Sequence, residues 1–259
     1  MKSTSRNAGF SLIVRLAGVA AIALAASTSA HAGFVDYIIR GTPTIDHTTP
    51  GQTTFVVING GEKAGLGSND INGKTLGEIA SLKITRLDNP ARFTAGSGPQ
   101  FAPYVNFWIT DGLGKFAVVA NEPTDPNFQP LYNHGYALDF SDLSNKAAHI
   151  HESSDQLWLA NNSVLTFSEL STYMIQAPTV AQLTAGWTGL GTGAPRQLGT
   201  NVAYGVNWVF GDTAGNYVSG PVGYTVADAN VTATPEPGTS ALMLAALGTL
   251  GAMLRRRKS

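Results

Sequence analysis

The chain has 259 residues, no cysteine and a formal net charge of −1 at pH 7. The lack of cysteine excludes disulfides, thiol catalysis and thiolate metal sites. Residues 33–234 hold nine basic and sixteen acidic residues, a formal charge near −7. This charge argues against nucleic acid and against an anionic membrane surface as partners.

Residues 1–32 have the pattern of a secretory signal peptide. A positively charged start precedes an uncharged run, residues 16–26, and the small residues Ala30 and Ala32 follow it. Signal peptidase requires small side chains at these two positions before its cut, so the mature chain is predicted to begin at Gly33. The alternative, a permanent membrane anchor, is disfavoured because a span needs ~20 apolar residues.

The body of the chain predicts an all-β fold. Short runs rich in aromatic and β-branched residues alternate with clusters of Gly, Pro, Asn and Asp, which favours an antiparallel β-sandwich or jelly roll. The predicted strands are residues 34–40, 53–59, 79–87, 104–110, 115–120, 136–140, 157–160, 164–167, 204–210, 217–219 and 224–232. One or two short helices are predicted as well, at residues 166–169, where a capping box stands, and 180–185.

Two of the predicted hairpins share a sequence pattern. Val105-Asn106 in the first hairpin recurs as Val206-Asn207 in the second, and each hairpin continues into a turn that contains Asp and Gly. Either the chain carries a degenerate internal repeat, or two unrelated hairpins have similar sequences because they adopt the same geometry. The second interpretation is favoured because nothing else in the two halves aligns.

Three segments of the body resemble the core strands of concanavalin-like and galactose-binding-like sandwiches. They are residues 81–84, 103–108 and the closing strand 224–232. The resemblance rests on pattern alone. It implies a sandwich architecture and transfers no site residues.

Two groups of residues are candidate metal ligands. His149 and His151 would share one side of a strand and could bind zinc together with a carboxylate. Asp70, Asp111 and Asp212 lie in turns and offer oxygen ligands to a structural calcium ion. The alternative in each case is a solvated loop or a turn stabilised by its own Asx side chain. The sequence therefore predicts no required cofactor, with calcium as a candidate structural ion.

A sugar-binding site is a further hypothesis. Trp187 stands in a glycine-rich stretch, where its indole could stack on a pyranose ring while Arg196 binds hydroxyl groups. The other tryptophans, Trp108, Trp158 and Trp208, are predicted to be core residues. No nucleophile elbow, zinc-protease motif or phosphate loop is present, and the chain is predicted not to be an enzyme.

The C-terminal residues form a second processing signal. A three-residue motif, Pro235, Glu236 and Pro237, precedes an uncharged run from 239 to 254. As a helix these sixteen residues span about 24 Å, a marginal length for a bilayer. The run ends in a basic cluster: Arg255, Arg256, Arg257 and Lys258. Such a cluster stays in the cytoplasm, which puts the body on the outer side of the inner membrane.

This order of features resembles the PEP-CTERM sorting signal of Gram-negative bacteria. The resemblance implies a cut near the motif by the membrane peptidase exosortase, followed by release or attachment at the cell surface. It covers about the last twenty-five residues and implies nothing about the body. An ordinary tail anchor is the alternative.

The predicted organisation is a signal peptide (1–32), a β-sandwich domain (33–231), a linker with the sorting motif (232–238) and an anchor (239–259). The predicted partners are signal peptidase, exosortase, the inner membrane transiently, and exopolysaccharide. The predicted role is structural or adhesive within an extracellular polysaccharide layer. The alternatives are a carbohydrate-binding module and a polysaccharide-cleaving enzyme on a jelly-roll scaffold.

Overall fold

The computed structural model describes residues 33–59, 61–88, 103–121, 136–152, 158–159, 165–184, 202–211 and 223–234. Two antiparallel sheets and a few short helices make up this part of the chain, which confirms the all-β fold class. The predicted signal helix and membrane helix lie outside the described residues.

The larger sheet has the strand order β1-β4-β11-β6-β7-β9, and β10 also pairs with β6. Its strands are β1 (Val35–Arg40), β4 (Lys63–Ser68), β6 (Tyr104–Thr110), β7 (Phe116–Ala120), β9 (His149–Glu152), β10 (Met174–Ile175) and β11 (Val206–Phe210). Every residue of β4, β6, β7 and β11 is buried. Burial on both faces explains why β6, β7 and β11 are largely apolar runs rather than alternating ones.

The smaller sheet has the order β2-β3-β12-β5-β8. Its strands are β2 (Thr44–Asp46), β3 (Thr53–Val56), β5 (Ile79–Arg86), β8 (Ala137–Leu138) and β12 (Gly223–Ala233). Buried and exposed residues alternate along much of β5 and β12. This pattern is typical of a sheet with one face on the core and one in water.

The helices are a 3₁₀ turn (Leu76–Glu78), α1 (Phe140–Ser144) and α2 (Val180–Thr184). The helix predicted at 180–185 is thus confirmed. At 166–169 the capping box forms, with the Thr166 amide donating to Glu169 Oε2 at 2.8 Å. The residues after the capping box make turns rather than a helix, however. The helix predicted at 166–169 is therefore wrong.

Aromatic side chains join the two sheets. Phe210 of β11 stacks on Phe55 of β3 with ring centroids 4.1 Å apart and also contacts Tyr224 of β12. The face of the larger sheet that carries Phe210 is therefore its inner face. Trp108 and Trp208 are 2% and 0% exposed, which confirms them as core residues, whereas Trp158 is only partly buried against Tyr173.

Candidate functional site

The C-terminal end of the body is held by a central strand. β12 lies between β3 and β5 and runs through Ala233, which pairs with Ile79. The next residue, Thr234, donates its amide to the Glu78 carbonyl oxygen at 2.7 Å. The ladder with β5 thus continues for two residues past the predicted domain end at 231, and the hydrogen bond from Thr234, the residue before Pro235, follows it directly.

The acceptor of that hydrogen bond is itself fixed in place. Glu78 closes the 3₁₀ turn, and its Oε2 accepts from the Thr75 amide at 2.7 Å and from the Thr75 hydroxyl at 2.9 Å. Leu76, the first residue of the turn, is fully buried. The side-chain bonds and the buried leucine together hold the carbonyl that binds Thr234.

The predicted N-terminal end of the mature chain binds the same connection. The Gly33 backbone nitrogen donates to Asp70 Oδ2 at 3.2 Å, and the Asp70 amide donates to Ser68 Oγ at 3.1 Å. Asp70 and Glu78 both belong to the β4–β5 connection, residues 69–78. We call this end of the two sheets, with Gly33 and Thr234 bound to it, the terminal pole.

The two candidate zinc ligands lie side by side on β9. The rings of His149 and His151 have centroids 4.3 Å apart, with His149 exposed and His151 buried. Glu152 alternates to the opposite face, where its Oε1 accepts from the amides of Trp158 at 2.9 Å and Leu159 at 3.1 Å. The nearest carboxylate in sequence therefore does not face the histidine pair.

Two other carboxylates of this region, Asp139 and Asp142, cap a helix. Asp139 Oδ1 accepts from the Ser141 amide at 2.7 Å, and Asp142 Oδ2 accepts from the Asp139 amide at 2.9 Å, at the start of α1. The Ser141 hydroxyl also donates to Asp139 Oδ1, and this bond is the main cause that lowers the pKa of Asp139. Within the described ranges, no three His, Asp or Glu side chains gather as metal ligands would.

The candidate calcium ligand Asp111 stabilises its own turn. Its Oδ1 accepts from the amides of Leu113 at 2.8 Å and Lys115 at 3.0 Å. This is the Asx arrangement named as the alternative to calcium. The remaining predicted site residues lie outside the described residues: Ala30, Ala32, Trp187, Arg196, Asp212, Pro235, Glu236, Pro237, Arg255, Arg256, Arg257 and Lys258.

Sequence reasoning missed a buried polar layer on the outer face of the larger sheet. The Tyr37 hydroxyl donates to Asn207 Oδ1 at 2.6 Å, and Asn207 Nδ2 donates to the Tyr204 carbonyl oxygen at 2.8 Å. Lys63 Nζ donates to the Tyr104 hydroxyl at 2.9 Å. Burial raises the pKa of Tyr37, and the neighbouring phenols Tyr204 and Tyr104 raise it further, so Tyr37 remains a neutral donor.

Asn106 completes this layer. It is 8% exposed and lies directly opposite Asn207, and its Oδ1 has no hydrogen-bond partner among the residues that the structure describes. The signal for the layer was present in the sequence as the repeated Val-Asn pair. Its meaning was hidden, because only the strand pairing shows that the two asparagines are neighbours.

The fold defines the class of protein: it is an all-β protein in which β12, a central strand of the smaller sheet, leads directly into the C-terminal segment. That segment, residues 233–258, matches the PEP-CTERM protein-sorting motif. The chain thus carries the sorting signal of a protein that is exported and sorted by exosortase. Neither curated proteins nor solved structures give a significant match to the chain. None of the helices in the described ranges is long and apolar enough to cross a membrane.

Proposed function

We propose that this chain is an exported surface protein whose two-sheet body, a β-sandwich, is a structural or adhesive component of an extracellular polysaccharide layer. It is held transiently in the inner membrane by its C-terminal segment, cut by exosortase, and then displayed or shed. The observation that carries the proposal is the sorting-motif match, which begins at residue 233, where the last strand ends.

The end of β12 restricts where the cut can fall. A peptidase binds its substrate as an extended segment whose backbone groups are free to pair with the enzyme. The last residues of β12, from Asn230 to Ala233, pair with β5, and Thr234 is bonded to Glu78. The cut is therefore expected on the C-terminal side of Thr234, which leaves β12 in the mature protein.

The polysaccharide role is tested with the full chain expressed together with exosortase in a Gram-negative host. The exported protein is expected on the cell surface or in the medium, and to sediment with exopolysaccharide from an exosortase-bearing bacterium. Protein that stays in the cytoplasm would refute the export step. Exported protein that never associates with the polysaccharide would refute the matrix role alone.

The same preparation separates the alternatives. Retention that Trp187→Ala abolishes would favour a dedicated carbohydrate-binding module, and release of reducing ends would favour an enzyme. The proposal assigns no catalytic role and requires no cofactor. Calcium stays a prediction, which the unfolding temperature measured with and without a chelator would test.

A further inference from the structure

The β6–β7 turn, residues 111–115, lies at the terminal pole. Val206 pairs with both Phe107 of β6 and Ser68 of β4, so β6 runs on past the point where β4 ends. Ile175 pairs with Ile109 of β6, and its amide donates to the Lys74 carbonyl oxygen at 2.7 Å. The turn and the connection that binds Thr234 are therefore neighbours.

The β6–β7 turn exposes the apolar side chain of Leu113 to solvent, and hydrogen bonds within the turn fix its backbone. Leu113 at its tip is 90% exposed. Besides the two amides bound by Asp111, the Thr110 hydroxyl oxygen accepts from the Gly112 amide at 3.1 Å and the hydroxyl donates to the Lys115 carbonyl oxygen at 2.8 Å. Gly112 has a φ of +76°, which glycine adopts without strain. The tip is thus fixed by local hydrogen bonds.

The anchor holds the terminal pole close to the membrane. Only residues 235–238 separate Thr234 from the uncharged run that begins at 239. The five residue steps from Thr234 to residue 239 reach at most about 18 Å when fully extended. A body tied to the bilayer on so short a tether must turn the terminal pole toward it.

We propose that the terminal pole is the membrane-facing end of the exported chain and that Leu113 inserts into the interfacial region of the phospholipid bilayer. The membrane-anchored intermediate of the proposed function is the state in which this contact forms. One leucine is too little apolar surface to hold a domain on a bilayer alone, and an acidic body is repelled by anionic lipid. The tether supplies a high effective concentration, so the contact lasts only until exosortase cuts the chain.

The opposite end of the body provides a matched control. Ile58, in the β3–β4 connection, is 71% exposed. Gly223, the first residue of β12, pairs with Val56, whereas Ala233 at the other end of β12 pairs with Ile79. The eleven residues of β12 span roughly 33 Å, so Ile58 and Leu113 lie at opposite ends of the sheets.

The experiment uses single cysteines, because the natural chain has none. Leu113→Cys and Ile58→Cys are introduced separately into the full chain, labelled with an environment-sensitive fluorophore, and reconstituted in phosphatidylethanolamine–phosphatidylglycerol vesicles that contain spin-labelled lipid. We expect the label at 113 to be quenched several-fold more strongly than the label at 58. Comparable quenching at both positions, or stronger quenching at 58, would overturn the proposal.

Two readouts separate this inference from the proposed function. If the full chain does not float with the vesicles, the anchor itself fails and the orientation with it. If it floats but the two labels behave alike, only the orientation fails. Shielding of the label at 113 that arises only after exosortase is added would assign the turn to the peptidase and refute insertion into lipid.

Discussion

Asn106 and Asn207 lie directly opposite each other on the neighbouring strands β6 and β11. The pairs on either side are Val105 with Trp208 and Phe107 with Val206. Each strand's valine thus meets the other strand's aromatic residue, as expected around a local two-fold axis through the asparagine pair. The two copies of the Val-Asn pattern therefore lie beside each other on adjacent strands. That two hairpins reached one geometry independently, rather than by an internal repeat, stays a prediction.

The Tyr37 hydroxyl is expected to stabilise this layer. Tyr37→Phe leaves Asn207 Oδ1 buried without the donor that now lies 2.6 Å away, which should lower the free energy of unfolding by about 1–3 kcal/mol. Urea denaturation of the exported protein measures the change. Tyr204→Phe is the control, since Asn207 binds the Tyr204 backbone carbonyl and not its hydroxyl. Equal losses in the two variants would contradict this account.

Gly67 makes room for the ring of Tyr204. A Cβ at Gly67 would approach Tyr204 Cδ2 to 2.2 Å, and Tyr204 also packs against Tyr37 at 5.0 Å between ring centroids. We expect Gly67→Ala to lower the unfolding temperature, at a cost of about 1–3 kcal/mol typical of overpacking. Combining it with Tyr204→Ala should give a smaller loss than the sum of the single changes. Strict additivity in calorimetry would show that the ring is not the obstacle.

Arg86 neutralises a buried carboxylate in the smaller sheet. Its Nε and Nη2 donate to Asp88 Oδ2 at 2.9 and 2.8 Å, and its Nη1 donates to the Tyr136 hydroxyl at 2.7 Å. The Arg86 and Asp88 side chains are 8% and 6% exposed. Arg86→Leu leaves the Asp88 carboxylate buried without its cation, which should lower the free energy of unfolding by about 3–5 kcal/mol.

The matching control is the double variant Arg86→Leu with Asp88→Leu. It removes both charges and should be more stable than Arg86→Leu alone. Equilibrium unfolding at pH 7 compares the two. If the double variant is the less stable one, the stranded charge is not the cause of the loss.

Glu62 should make the stability of the body depend on acidity. Burial opposes its ionisation, but hydrogen bonds from the Asn59 side chain and amide, the Ile58 amide and the Thr42 hydroxyl outweigh it and lower its pKa from 4.5 to about 2. A lowered folded-state pKa stabilises the protein fully above pH 4.5, and this stabilisation is lost as the pH falls toward 2.

Glu62→Gln tests this dependence. The variant should be less stable than the natural protein at pH 7, and the gap should close between pH 4.5 and pH 2. Denaturation at a series of pH values provides the measurement. A gap that stays constant down to pH 2 would show that the carboxylate charge contributes nothing.

The sequence predicts correctly the strands that are rich in apolar residues of the β-branched or aromatic type, such as β6, β7 and β11. The predicted strand 104–110 matches β6 at both ends. β4 was missed because its sequence KAGLGS holds two glycines and a lysine. Those residues fit a strand only because the tyrosine rings of other segments lie over the glycines and a distant phenol binds the lysine.

The candidate sites also divide into local contacts, which the sequence predicts, and contacts between distant segments, which it does not. The Asx role of Asp111 depends on its own turn and was among the alternatives read from the sequence. The orientation of Glu152 away from the histidine pair depends on partners at 158–159, and the bond from Gly33 to Asp70 joins residues 37 positions apart. Contacts between distant segments leave no local pattern, so the terminal pole was not predictable.

The intact mass of the exported protein is the most direct test of the central claim, that the chain is exported and cut at both ends of its body. The full chain is produced in a Gram-negative host that carries exosortase, and the mature protein is collected from the surface or the medium. The mass should correspond to a chain that begins at Gly33, retains Thr234 and lacks Arg255, Arg256, Arg257 and Lys258. A mature product that ends within β12, or that keeps the basic cluster, would contradict the account.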